Sequence, residues 1–144
     1  MISTKIMFEL MSLEEAESKD YISKKLCEIV RSLEMTDIPI IYIEADSDNV
    51  DMEYEIMKSL AEIHFDKAIV VTSVIIDGNY SIFSKLISNG FTDIDGMANS
   101  NYSRYTKNIS VKFLFTENSI GKKIFGECVT ASIKKGEIKD ENSK

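Results

Sequence analysis

The chain has 144 residues, of which 44% are apolar and 28% charged, a composition that fits one folded core and excludes disorder of the whole chain. The net charge of −7 is unevenly spread: residues 1–66 carry 16 acidic and 6 basic side chains, while residues 104–144 carry 9 basic and 5 acidic. An acidic first half argues against a broad nucleic-acid footprint, because phosphates need a basic face.

In chain order, Thr4–Met11 alternates, with Ile6, Phe8 and Leu10 on one side and Lys5, Met7 and Glu9 on the other. That period of two predicts a half-buried strand. Ser12-Leu13-Glu14-Glu15 fits a capping box, and Leu13, Ala16, Leu26, Ile29, Val30 and Leu33 follow at helical spacing. One long amphipathic helix over 13–34 is expected. Ile38–Ala45, with Pro39 near its start, is almost unbroken in apolar character, the pattern of a strand covered on both faces. Asp48 or Asn49 is placed to cap the next helix, whose stripe is Met52, Ile56, Leu60 and Ile63. Ala68–Ile76, the most β-branched segment, is expected as the central strand. Asp77-Gly78-Asn79 reads as a turn, and Tyr80–Ser88 as a short helix stopped by Asn89-Gly90.

Residues 92–107 lose periodicity and read as a long loop. Ile109, Val111, Phe113 and Phe115 then alternate with polar neighbours. Lys123–Ile133 is expected to pair with them through Asn118-Ser119-Ile120-Gly121, forming a C-terminal antiparallel hairpin. The expected fold is α/β: a mixed sheet in two or three layers, in the order β-α-β-α-β-α-β-β. The first three strands are expected parallel, with 38–45 and 68–76 as its core. Residues 1–134 form one domain in this reading, and 135–144 a polar tail.

Chemistry-bearing residues are sparse. Glu44, Asp46 and Asp48 begin an acidic stretch where the second strand ends, the usual ligand position in open α/β sheets. With Asp77 and Asn79 at the end of the third strand, they form the candidate ligand site; Asp46 and Asp48 are the candidate divalent-metal (Mg²⁺ or Ca²⁺) ligands. The calcium-loop pattern fails, since Asp51 stands where the turn needs glycine. His64, the only histidine, has no nucleophile placed beside it. Tyr102, Arg104, Tyr105 and Lys107 interleave aromatic and basic groups, as in a partner-contact loop. Cys27 and Cys128 belong to no Cys/His cluster and lie in apolar stretches, where free cysteines behave as small hydrophobes. No basic-then-apolar leader stands at Met1–Leu10 and no run approaches the ~20 apolar residues of a bilayer span. The expected location is a reducing cytoplasm, of a cell or an infected host.

From Met57 to Phe115 the order of features resembles the C-terminal half of the GCN5-related N-acetyltransferases. The matching parts are Ile56–Ile63 as the leading helix, Ala68–Ile76, Asn79, Phe83–Ser88, Gly90-Phe91 and the closing strand Ile109–Phe115. The resemblance implies an acyltransferase scaffold with acetyl-CoA as its cofactor. The family's pyrophosphate loop would fall on Ala45–Glu53, which here has no glycine and no basic residue. Its carboxylates repel a pyrophosphate, and the family's aromatic acid would fall near Leu86. The resemblance therefore implies the scaffold without the activity.

The expectation for function is a non-catalytic, protein-binding subunit of an oligomer or a larger phage or microbial assembly. It has no predicted cofactor, no membrane and no nucleic-acid partner. The alternatives are a divergent GCN5-like acyltransferase or other small-ligand enzyme, and a divalent-metal-binding domain with Mg²⁺ as its ion.

Overall fold

A computed structural model describes residues 4–47, 49–63, 66–77, 80–98 and 108–130. Alternation in the first segment gives strand β1, Thr4–Met11, but the strand is not half-buried as expected: Ile6, Phe8 and Leu10 are exposed, and Met11 at its end is the residue that reaches the core. Ser12 then caps α1, Leu13–Glu17, with the reciprocal capping box: its hydroxyl accepts from the Glu15 amide while the Glu15 carboxylate reaches back. The long helix expected over 13–34 is broken. Ser23 starts a second helix, α2, Lys24–Ser32, by accepting from the Leu26 amide at 3.1 Å, and Arg31 grips Glu17 with two nitrogen–oxygen contacts of 2.5 and 3.0 Å. A cap inside a periodic run thus splits one amphipathic face into two short helices packed side by side.

Strand β2 covers Ile40–Ser47, two residues later than the apolar run suggests, because Pro39 lacks an amide and offers only its carbonyl, to Ile69, at 3.0 Å. Helix α3, Val50–Ile63, starts at Asn49, whose side chain accepts from the Met52 amide at 3.1 Å. Strand β3, Ile69–Asp77, leads to α4, Tyr80–Ser88. Gly90 takes φ +89°, where an L side chain is strained, and turns the chain into the short strand β4, Phe91–Asp93. Part of the expected loop 92–107 is therefore ordered as β4 and a 3₁₀ turn, Asp95–Ala98. Strand β5, Asn108–Phe115, follows.

The five strands form one mixed sheet, ordered β1-β2-β3-β5-β4. β2 and β3 pair in parallel, while β1 runs antiparallel to β2 and β5 antiparallel to both β3 and β4. The expected parallel start thus fails at β1, since two short helices return the chain beside β1 in the opposite direction.

The expected C-terminal hairpin is also absent. Residues 119–130 are helical, forming α5 where the strand is expected to begin at 123; residues 131–133 of that expected strand lie outside the described residues. Ile124 and Cys128, four residues apart, are fully buried, and Ile120 packs beside them, a helical spacing that overrides the β-branched composition. The Asn118 side-chain Oδ1 accepts from the Gly121 backbone amide at 2.6 Å, and its Nδ2 donates to the Ala68 carbonyl at 3.1 Å.

Helices cover the sheet on both faces. Met11, Ile40, Ile69, Val71 and Leu114 pack with α1, α2 and α5, and both cysteines lie there as buried free thiols. Ile41, Ile43, Val70, Val111 and Phe113 pack with α3 and α4 on the other face. No helix among the described residues is long and apolar enough to cross a membrane.

Two substitutions test α5. Asn118→Ala removes the cap and the tie to Ala68 and should lower stability by about 2 kcal/mol. Gly126→Ala, where an added Cβ meets nothing within 4 Å, should raise it by about 0.5–1 kcal/mol. Urea unfolding reads both.

Candidate functional site

The parallel pair β2–β3 is short. It has three register pairs, Ile40↔Ile69, Ile41↔Val70 and Tyr42↔Val71, yet β2 continues to Ser47 and β3 to Asp77. Beyond Tyr42 each strand keeps its outer partner: β1 follows β2 as far as Thr4↔Ser47, and β5 follows β3 as far as Asp77↔Asn108. The inner edges part, leaving backbone N–H and C=O groups without a strand opposite. The opening is a cleft of about 1010 Å³, the size class of small-molecule and peptide-segment sites.

Strand alternation divides its walls between the two faces of the sheet. On the α1–α2 side stand Met7, Glu9, Tyr42, Glu44 and Ser73, together with Tyr21 from the turn between the helices. On the α3 side stand Phe8, Thr72, Val74 and, from α3 itself, Glu53, Tyr54 and Met57. Glutamates, tyrosines and the hydroxyls of Thr72, Ser73 and Ser110 supply the polar groups, and no Lys or Arg stands among the described lining residues.

The narrow end is closed by hydroxyls. Tyr42 donates to the Glu44 carboxylate, and the Ser73 hydroxyl lies 2.9 Å from the Tyr42 oxygen. Since the Tyr42 proton is engaged, Ser73 donates, linking β2 to β3 just past their last backbone pair. The Tyr21 ring meets Tyr42 edge-on, centroids 4.7 Å apart at 61°, and its hydroxyl donates to Glu9. Burial and the Glu44 acceptor push the Tyr42 hydroxyl well above the usual phenol range. The Glu9 acceptor, with some burial, pushes Tyr21 up to about 12; burial, then the Glu53 charge, pushes Tyr54 up to about 12. These phenols stay protonated donors under all ordinary conditions.

Thr72 is the anomaly of the wall. Its side chain is 1% exposed, and its hydroxyl has no hydrogen-bond partner among the described residues. An orphaned buried hydroxyl costs about 1–3 kcal/mol, so Thr72 is a locally destabilising element of the cleft wall.

Of the residues singled out from sequence, Glu44 lies in this wall. Asp46 and Asp77 belong to the far ends of β2 and β3. Asp48, Asn79, His64, Tyr102, Arg104, Tyr105 and Lys107 lie outside the described residues. No group of three or more His, Cys, Asp or Glu residues able to hold a metal occurs among the described residues. Sequence reasoning missed Tyr21, Tyr42, Thr72 and Ser73. The available signal was a run of polar atoms, at 42, 44, 72 and 73, inside the two most apolar strands.

Thr72→Val keeps the shape and deletes the orphan, so it should raise the stability of the free protein by about 1 kcal/mol in urea unfolding. For the tyrosines, a pKa raised on folding means stability that is complete below pH 10 and lost as pH rises through about 12. Alkaline absorbance titration should show phenols ionising near 12, and Tyr21→Phe should remove one of them. No known protein family matches the chain, and neither a curated protein nor a solved structure matches it significantly.

Proposed function

We propose that the protein is a non-catalytic binding domain that captures an extended, positively charged segment of a protein partner in the cleft between β2 and β3. The observation that carries this reading is the early end of the β2–β3 pairing. Two diverging strand edges offer alternating donors and acceptors to an extended main chain, as in strand addition. Glu9, Glu44 and Glu53 line the same cleft as Tyr21, Tyr42 and Tyr54. A carboxylate beside an aromatic face suits a lysine or arginine side chain through charge and cation–π attraction. Thr72 supplies a hydroxyl in need of a partner.

A second reading, acyl transfer from a thioester cofactor to an amine held in the same cleft, also has an observation in its favour. Helix α3, β3, α4, Gly90-Phe91 and β5 follow one another in the order that resemblance to the GCN5-related acetyltransferases implies. The acids of the β2–α3 segment weigh against a pyrophosphate there.

The experiment is a thermal-shift and calorimetry panel: an oligolysine peptide, an oligoglutamate peptide of equal length, and acetyl-CoA. The oligolysine peptide should stabilise the protein, by about 2.7 kcal/mol at a hundred times its Kd. Its binding should weaken with salt and fall about tenfold in Glu44→Gln. Stabilisation by acetyl-CoA in place of oligolysine selects the second reading. No shift with any of the three overturns both.

A further inference from the structure

β1 is an edge strand: among the described residues it pairs in the sheet with β2 alone. Edge strands are usually protected by bulges, prolines or covering elements. β1 contains no proline and pairs with β2 residue for residue from Thr4 to Met11 without a bulge, and no strand covers its outer edge among the described residues. It also carries an unusual load of exposed apolar surface, with Ile6 at 48%, Met7 at 55%, Phe8 at 62% and Leu10 at 64%. Met7 points to one face of the sheet, while Ile6, Phe8 and Leu10 point to the other.

We infer that β1 pairs with β1 of a second copy, antiparallel and across a two-fold axis at Met7, joining two sheets into one. The occupant is identified by the charge pattern of the strand. Two-fold antiparallel pairing centred on Met7 sets Lys5 of each copy opposite Glu9 of the other, on the same face, twice over. It sets Ile6 opposite Phe8 on the other face and Met7 opposite itself. Neighbouring registers lose this match. Centring on Ile6 puts Lys5 against Met7, centring on Phe8 puts Glu9 against Met7, and centring on Glu9 puts two carboxylates together. Opposite charges facing across an antiparallel pair are favourable and like charges are not, so this strand is complementary to itself in one register. Symmetric self-pairing is the commonest way for a soluble chain to close an assembly.

The interface uses the outer edge of β1, which does not line the cleft, so its test needs no ligand. Sedimentation velocity over a range of concentrations should show a reversible dimer. Lys5→Glu sets a new carboxylate against Glu9 at both ends and should raise the dissociation constant at least about tenfold. Met7→Asp, which leaves Lys5 and Glu9 in place, should do the same by setting two carboxylates on the axis. Lys5→Glu mixed with Glu9→Lys should form a heterodimer, since both facing pairs become complementary, while each variant alone stays monomeric. Circular dichroism establishes that each variant is folded. A monomer at every concentration overturns the inference, as does a dimer that folded Lys5→Glu and Met7→Asp leave unweakened.

Discussion

Neighbouring strands satisfy one another's backbone groups, so two strands that leave each other must each be held by something else. β2 and β3 meet this condition at Tyr42 and Val71, where their pairing ends. β2 stays bound to β1 along its whole length and β3 to β5 beyond the split, so two antiparallel ribbons, each with its own right-handed twist, diverge from a short parallel seam. Tyr42 occupies the angle between them: its ring packs on Tyr21 and its hydroxyl bridges Glu44 and Ser73. The opening is thus a consequence of strand pairing and is held at its base by side chains.

The layers on either face explain why the seam itself does not open. Tyr54, Met57 and Ala61 of α3 are buried over Ile41, Ile43 and Ala45 on one face. On the other, α1, α2 and α5 cover Ile40 and Ile69. Asn118 fastens the start of α5 to the carbonyl of Ala68, one residue before β3 begins. Ser23, the cap of α2, donates to Asp95 at 2.6 Å, drawing the turn after β4 onto the same layer. On the α1–α2 face the apolar cover is concentrated at the closed end of the seam, and Glu44 and Ser73 lie beyond it.

Local pattern carried the elements that depend on local chemistry. The apolar runs of β2 and β3, the helical period of α3 and the Asn89-Gly90 stop of α4 are legible because burial on two faces, a 3.6-residue period and a positive φ each leave a signature within a few residues. The buried side of α3 is nonetheless Tyr54, Met57 and Ala61, and Ile63 of the expected stripe is 70% exposed. Three features leave no such signature. Alternation in Thr4–Met11 shows a strand without its direction, so the antiparallel run of β1 was hidden. In residues 119–130 the β-branched and aromatic side chains favour a strand, while Ile120, Ile124 and Cys128, four apart, favour a helix; burial against α2 decides for the helix. The cleft depends on where pairing between two strands ends, and neither strand's own sequence encodes that. Glu44 could be picked out as a charge near a strand end, whereas Tyr42, Thr72 and Ser73 were hidden in runs that read as core.

β1 joins the two surfaces. Met7 and Glu9 face the cleft opposite Glu44 and Tyr42 in register, while the outer backbone of the same strand is the sheet edge. Since β2 has no strand partner on its inner side past Tyr42 among the described residues, β1 along its edge and α3 over Ile43 and Ala45 hold that half of β2 in place. Pairing β1 with a second copy ties down its remaining edge and so restricts how far β2 can move relative to β3. A ligand that bridges the split then finds a wall already ordered and loses less conformational freedom on binding. Linkage makes the effect mutual: a segment seated between β2 and β3 must strengthen the β1 pairing by the same factor. On the proposed binding and the inferred pairing, the aromatic and acidic lining and the exposed apolar strand would be coupled through the backbone of a single edge strand.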